Sequence, residues 1–147
     1  MIDRKFIGYE FAPAIAEVEK GRLRFFAKAT GNADPIYFDE EAARAAGYKS
    51  LPVPPTFFFC LEMERDNPMD FLELLGVDLG RVLHGEQSFV YHAPVCAGDH
   101  VTFRSRISDI YDKKGGALEF IVMETEGRNQ DGLHVVDMRR SIVVRNA

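Results

Sequence analysis

The segment Gly31–Tyr37 brings together three polar side chains that differ in what they can do with a proton. The Asn32 amide cannot accept a proton at neutral pH, and the Tyr37 phenol, with an ordinary pKa of roughly 10, is a poor base. Asp34 is either a general base or a turn residue that hydrogen-bonds its own backbone, and its glycine- and proline-rich surroundings favour the turn. Tyr37 is either a hydrogen-bond donor to a bound carbonyl or, as we expect, an amphipathic packing residue.

His84 is the histidine best placed for chemistry, because Gly85 beside it allows close approach by a ligand or partner. A structural histidine at a dimer edge is the favoured alternative. The other three histidines are spread along predicted strands and turns without metal-ligand spacing: His92, His100 and His134. The sequence therefore predicts no metal site, and without a Walker loop, Rossmann fingerprint or nucleophile elbow it predicts no cofactor.

Short helices separated by glycine and proline are predicted for the first half of the chain, to about Gly80. Apolar residues there recur at strand or helix spacing in four segments. These segments are a strand over Phe11–Val18, helices from Glu19 or Lys20 to Ala29 and from Asp39 to Ala46, and a helix over Met69–Leu75. Asp39 suits an N-cap, since its carboxylate can accept a hydrogen bond from a backbone N–H.

The run Phe57–Met63 organises the predicted fold. It is apolar on nearly every side, and such a helix must be buried all round. The prolines before it, including Pro55, suit a first helical turn. Thr56 is predicted to cap this helix, with contact to a ligand as the alternative. Phe57 and its neighbours are expected to fill the core, while part of the cluster lines a tunnel.

After Gly80 the pattern changes to strands. Alternation at period two predicts four of them: Val82–Tyr91, Val101–Ser108, Leu118–Thr125 and Val135–Val144. Glycine-containing turns at 114–116 and 129–132 join the later strands. One apolar helix followed by four antiparallel strands predicts an α+β fold in which the sheet curls around the helix. The open edge of such a sheet must be covered, so a dimer is expected.

Bulk properties narrow the function classes. The 147 residues predict one domain over 1–147, and a net charge of −5 argues against nucleic-acid and anionic-membrane partners. The charged start of the chain lacks a signal-peptide pattern, and no apolar stretch is long enough to span a bilayer. Cys60 and Cys96 are expected to be reduced core thiols, so a cytoplasmic protein is predicted.

Several motifs resemble the MaoC-like hydratase/dehydratase family. Residues 31–37 are a degenerate match to its motif Gly-Asp-X-Asn-Pro-X-His, and the stretches 37–49, 53–57 and 82–99 are more specific. They resemble the N-terminal-type, FAS1-like branch, which includes the substrate-binding subunit of 3-hydroxyacyl-ACP dehydratases. The resemblance covers nearly the whole chain and implies a hot-dog fold, an antiparallel sheet wrapped around a central helix.

The resemblance also implies a chemistry, from which this chain departs. In the active branch an Asp and a His hold the water that adds to a 2-enoyl thioester, and a backbone N–H near the central helix stabilises the thioester oxygen. Here Asn32 stands in place of the Asp, Tyr37 in place of the His, and Asp34 in place of a structural Asn. The family's His-Gly pair aligns with Pro54-Pro55, and proline has no N–H to offer.

Three functional hypotheses follow. The chain is a dehydratase subunit whose partner supplies the Asp and His, a homodimeric acyl-thioester binding module, or a self-sufficient enzyme; the missing pair favours the first two. Catalytic candidates are Asp34, Tyr37 and His84, and substrate-binding candidates are Asn32, Pro55, Thr56, Phe57 and Gly85. Four arginines are expected to be solvated, with CoA phosphates or an acidic carrier protein as the alternative: Arg104, Arg106, Arg139 and Arg140.

Overall fold

A five-stranded antiparallel sheet is the centre of the protein in this computed structural model, which describes residues 1–146. The strands are β1 (Ala14–Glu17), β2 (Val82–Tyr91), β3 (His100–Lys113), β4 (Leu118–Asn129) and β5 (His134–Arg145). Their order across the sheet is β1-β3-β4-β5-β2, so β1 and β2 form its two edges. The helices are α1 (Lys20–Ala29), α2 (Glu40–Ala45), α3 (Phe57–Glu62) and α4 (Asp70–Leu75).

The predicted α+β, hot-dog architecture is confirmed. In the first hydrophobic cluster, Phe57, Phe58 and Leu61 of α3 pack with Val101 and Phe103 of β3. The second cluster joins α4 to the same sheet, through residues of β3, β4 and β5. The helices therefore lie against one face of the sheet, and the burial of that face holds α3 in place.

Most element boundaries agree with the sequence prediction. β2 has the predicted bounds, and α1 and α2 lie within the predicted helices. Asp39 caps α2 as predicted, because its Oδ1 accepts a hydrogen bond from the Glu41 N–H at 2.9 Å. The strand predicted from Phe11 is shorter and begins at Ala14, since Pro13 cannot donate to the ladder. β3, β4 and β5 are longer than predicted because pairing continues toward the hairpin turns.

The prediction that α3 is buried all round is wrong, because Phe59 and Cys60 are only half-buried, and the buried part of the helix includes a charged side chain. Glu62, at its end, is only 2% exposed. Its Oε1 accepts hydrogen bonds from Ser105 Oγ at 2.9 Å and Thr125 Oγ1 at 2.8 Å. Arg140 Nη1 lies 3.8 Å from the other carboxylate oxygen. A polar network therefore fixes the end of α3 to β3, β4 and β5.

Arg140 is accordingly not a solvated charge, contrary to the prediction. It lies on the inward face of β5 between Met138 and Ile142, and it is 7% exposed. Within residues 1–146 its Nε has no hydrogen-bond partner, while its Nη2 faces the Met123 sulfur at 3.4 Å. The period-two alternation of β5 places the Arg140 side chain on the inward face. Charged side chains are rare at inward positions, so the residue type alone suggested an exposed arginine.

Both cysteines are free thiols, Cys60 half-buried and Cys96 buried, as predicted. Burial raises the pKa of the Cys60 thiol despite the opposing charge of Arg22. Across residues 1–146 the helices are all too short or too polar to cross a membrane.

Candidate functional site

Tyr91 connects the end of β2 to the start of α3. Its Oη accepts a hydrogen bond from the Thr56 backbone N–H at 3.0 Å. The Tyr91 ring lies 5.9 Å from Phe58 and is stacked on Phe89 at 5.9 Å between centroids. The Tyr91 ring therefore packs on the core, and its exposed hydroxyl oxygen accepts the N–H of the residue that precedes α3.

Thr56 has a left-handed backbone with φ of 70°, which is strained for a β-branched residue. Its side chain makes no capping hydrogen bond, so the prediction of a Thr56 side-chain cap is wrong. Capping side chains act from an extended backbone, which Thr56 does not have. The two prolines indeed offer no N–H, but Thr56 follows them and does offer one. A backbone donor is therefore present one residue after the proline pair.

The loop before α2 uses its polar groups locally. Asn32 Oδ1 accepts from the Asp34 N–H at 3.0 Å, and Asp34 Oδ1 accepts from the Ile36 N–H at 3.1 Å. Asp34 thereby caps the 3-10 helix Pro35–Tyr37 and is itself exposed. This geometry matches the turn interpretation of Asp34, and the amide at Asn32 has the same kind of role.

Tyr37 is half-buried at the end of this loop. Burial raises the pKa of its phenol, and the acidic groups of Tyr48, Asp34 and Tyr91 raise that pKa further. A phenol with a raised pKa stays protonated at neutral pH, so it donates a hydrogen bond and does not act as a base. The effect of Tyr91 on this pKa places the Tyr37 and Tyr91 phenols within electrostatic range of each other.

His84 is not brought into this neighbourhood. It lies seven residues before Tyr91 on β2, about 20 Å along the strand, and its ring stacks on Phe59 at 5.3 Å. Gly85 lies at a register shift, where a Cβ would stand 2.8 Å from Val143 Cγ2 and 3.2 Å from the Ser141 carbonyl oxygen. The close approach that requires this glycine comes from β5, whereas the sequence had suggested a ligand or partner.

Phe57 has the core position expected of it. It is 3% exposed and packs on Phe26 with ring centroids 4.9 Å apart. The Arg22 guanidinium lies 5.7 Å from the Phe57 ring centroid on the exposed side. The half-buried Phe59 and Cys60 on the same helix leave part of α3 accessible.

A groove of about 600 Å³ on the outer face of the sheet is lined by the other three arginines of the sequence prediction, Arg104, Arg106 and Arg139. Carboxylates line the same groove, and Arg106 Nη2 lies 2.7 Å from Glu124 Oε2. Arg104 and Arg139 have Glu126 and Asp137 in the same lining. The groove is therefore of mixed charge, which is a weaker match to a phosphate than a purely basic site.

Two histidines that the sequence appeared to separate converge on one carboxylate. His92 Nε2 lies 2.7 Å from Asp137 Oδ2, and His134 Nε2 lies 2.7 Å from Asp137 Oδ1. Burial alone would raise the pKa of Asp137, but the two histidine hydrogen bonds outweigh it and lower that pKa. The interpretation that the histidines are spread is wrong for this pair, whose spacing in the sequence gives no signal.

A family model matches most of the chain, and curated relatives match it over nearly its whole length. The family described as "FAS1-like, dehydratase domain region" matches residues 5–138. A UPF0336 protein of Streptomyces avermitilis is 36% identical over 147 residues, covering 99% of this chain and 97% of that protein.

Solved structures give the same answer. The chain is similar, with a TM-score of 0.80 and 31% identity, to a chain of the C-terminally truncated HadBC (3R-hydroxyacyl-ACP dehydratase) complex of Mycobacterium tuberculosis. The match covers 94% of this chain and 96% of that one. A chain of the ChsH1-ChsH2 complex of the same organism has a TM-score of 0.76 at 23% identity, covering 94% and 89%, which shows the fold.

Proposed function

Because the chain belongs to the FAS1-like dehydratase domain family, we propose that it is the substrate-binding subunit of a 3-hydroxyacyl-thioester dehydratase. In the reverse direction the complex would be an (R)-specific enoyl-thioester hydratase. The thioester is carried by CoA or by acyl carrier protein, and a second hot-dog chain supplies the Asp and His that move the protons.

The observation that carries this proposal is that the polar side chains of the loop 31–37 are not arranged for proton transfer. Asn32 has an amide where a base is needed, and Asp34 binds the loop's own backbone. The pKa of Tyr37 is raised, mainly by burial, which keeps its proton in place. Dehydration needs one group to take the proton from carbon and a path to protonate the leaving hydroxyl. This loop offers no base placed for the first step, which supports a second chain that supplies the pair.

Substrate binding is supported by the start of α3. We assign the thioester oxygen to the Thr56 N–H, where it would displace the Tyr91 phenol. Thr56 immediately precedes α3, so a thioester bound at its N–H would direct its acyl chain along the accessible side of α3. Asn32 and Pro55 would border the entrance. Such a donor is most useful when the oxygen gains enolate charge.

The edge strand β2 supports the partner. It lies at one edge of the sheet, and its exposed apolar side chains are Leu83, Val90 and Tyr91. A strand of this kind is a template for pairing with another chain. The two Mycobacterium tuberculosis neighbours are complexes by name, HadBC and ChsH1-ChsH2, which favours a second hot-dog chain over β2.

Hydration of crotonyl-CoA tests the proposal. The purified chain is assayed alone and after mixing with a MaoC-like chain that retains the Asp and His motif. We expect activity only in the mixture, above that of the partner alone. Strong activity from the chain alone would contradict the proposal. Thioester binding without activity in any mixture would favour the homodimeric binding module.

Two matched edge variants locate the partner. Val90→Asp places a charge on β2, and Ile15→Asp places the same charge on the opposite edge strand, where Ile15 is 69% exposed. We expect Val90→Asp to abolish complex formation in size-exclusion chromatography and to abolish activity of the mixture. Ile15→Asp should leave both unchanged. Equal effects of the two variants would argue against pairing over β2.

A further inference from the structure

His92, His134 and Asp137 form a cluster that the proposed dehydratase chemistry does not use, and we propose that it binds a divalent transition-metal ion such as Zn²⁺. The ligand atoms of the three side chains all lie within 4.8 Å of one another. Asp137 is paired with Val90 on β2 and lies on the outer face, whereas Tyr91 is paired with the buried Val136. The cluster is therefore separated from the Thr56–Tyr91 contact by the sheet.

A β-bulge builds the cluster. His134 pairs with Arg128 and Val136 pairs with Gly127, so Val135 is an extra residue in β5. Without it, residues three apart on a strand would point to opposite faces. With it, Val135 and Val136 are both buried, and His134 and Asp137 emerge on the same side. Bulges that redirect a side chain in this way are common beside functional sites.

The same bulge also positions His92, the third residue of the cluster. The Val135 carbonyl oxygen accepts the His92 N–H at 2.9 Å and the Ala93 N–H at 3.4 Å. This contact holds the chain after β2 against the start of β5, and the two imidazole rings lie 4.2 Å apart between centroids. Three ligand groups from two distant segments are thus fixed by backbone structure.

The donor set suits a borderline-soft cation. Two imidazole nitrogens and one carboxylate oxygen are a common protein ligand set for Zn²⁺ with an open fourth position, and Co²⁺ accepts the same donors. An ion at roughly 2.0–2.2 Å from each donor would replace the two hydrogen bonds to Asp137. Each imidazole now donates from Nε2, so metal binding at that atom would release its proton to solvent while a solvent proton binds Nδ1. The side chains are 31–46% exposed, which leaves a path for the ion and for a bound water.

The charges around the cluster are of both signs. Asp137 supplies the one carboxylate of the cluster, and both histidines already lie against its oxygens. Glu126, its cross-strand neighbour on β4, is compensated by Arg128, whose Nε lies 2.6 Å from Glu126 Oε1. Arg104 faces Glu126 across the strands and Arg139 lines the same groove as Asp137, so the attraction for a cation comes from the Asp137 carboxylate itself.

Metal titration of the full chain tests the proposal. Zn²⁺ binding is measured by isothermal titration calorimetry, and Co²⁺ binding is followed by its visible absorption, which reports tetrahedral nitrogen and oxygen ligation. We expect one ion per chain. His92→Gln, His134→Gln and Asp137→Asn should each weaken binding at least tenfold. His100→Gln is the matched control, since His100 is an exposed histidine outside the cluster, and it should bind as the unmodified chain does.

Two results would overturn the metal site. The first is no ion uptake by the unmodified chain at millimolar Zn²⁺ or Co²⁺. The second is unchanged stoichiometry and affinity in the double variant with His92→Gln and His134→Gln, which would place the ion elsewhere. Circular dichroism confirms that each variant is folded, and the three single variants give independent tests if one is not. No hydratase assay enters this experiment, so its outcome is independent of the proposed function.

Discussion

The loop 31–37 and the end of α3 hold carboxylates in opposite circumstances. Asp34 belongs to a family motif, yet it is exposed and accepts one backbone N–H of its own loop. Glu62 belongs to an apolar run and to no motif, yet it is buried and accepts two hydroxyl groups from the sheet. Position in a motif thus does not decide which carboxylate the structure depends on. Burial and the number of hydrogen bonds do.

Removal of Glu62 should produce the largest effect. We expect Glu62→Ala to lower the free energy of unfolding by about 3–5 kcal/mol, because Arg140 is left buried without an opposite charge. Urea denaturation followed by circular dichroism measures the change. Glu64→Ala is the control, since Glu64 pairs with Arg22 at the surface and should change stability by less than about 1 kcal/mol. Equal losses in both variants would contradict the role of burial.

The double variant sharpens this test. Glu62→Leu with Arg140→Met removes both charges and leaves apolar groups of similar size. We expect it to be more stable than Glu62→Ala, since a buried ion pair can often be replaced by packed apolar residues at little cost. Among the described residues Arg140 Nε has no hydrogen-bond partner, which makes this outcome more favourable still. A double variant less stable than either single change would show a cooperative network instead.

Asp99 should show the next largest effect and a pH dependence. Burial alone would raise its pKa, but hydrogen bonds from the Cys96 N–H, Lys49 and Gln130 together lower it. Folding therefore favours the charged form, and its stabilisation is present above the ordinary pKa of roughly 4 and is lost as pH falls through the lower, folded-state pKa. We expect Asp99→Asn to cost about 2 kcal/mol at pH 7.

Denaturation from pH 7 down to pH 2 measures the Asp99 effect. The difference in unfolding free energy between the unmodified chain and Asp99→Asn should shrink below about pH 4, where the unmodified carboxyl also becomes neutral. Asp34→Asn is the matched change at an exposed carboxylate and should show little of this dependence. A difference that stays constant with pH would mean that the charge of Asp99 contributes nothing.

At Asp34 the expected loss is smaller. Asp34→Ala should lower stability by about 1 kcal/mol, the usual cost of losing a cap. Asp34→Asn retains an acceptor for the Ile36 N–H, so this variant should keep most of the stability of the unmodified chain. Thermal unfolding of both variants measures the two losses of stability. If Asp34→Asn were as unstable as Asp34→Ala, the carboxylate would be acting through its charge.

Tyr91→Phe should lower stability least among the changes at Glu62, Asp99, Asp34 and Tyr91. It removes the acceptor for the Thr56 N–H, but the contact is exposed and water can replace the phenol. We expect a loss of roughly 0.5–1 kcal/mol in urea denaturation. A loss as large as that of Glu62→Ala would mean that the phenol is part of the structural core.

The sequence predicted the fold and its elements well, because these depend on local patterns. The apolar run at Phe57, the period-two strands and the Asp39 cap are all visible along the chain. The turn role of Asp34 was also predicted, since Asx turns depend on the next two residues.

Features that depend on three dimensions were missed. The burial of Glu62 arises from Ser105 and Thr125, which lie far along the chain. The meeting of His92 with His134 depends on an extra residue in β5, which no spacing rule detects. The left-handed backbone of Thr56 is equally invisible, since threonine rarely adopts it.

The register shift at Gly85 also bears on how the free edge behaves without a partner. Fibrils of cross-β type need an unbroken ladder in which every rung repeats along stacked chains. An extra residue interrupts that ladder near the start of β2 and divides it into the paired segments Val82–His84 and Glu86–Tyr91. We therefore expect chains lacking a partner to form closed pairs at high concentration and to resist growth into fibres.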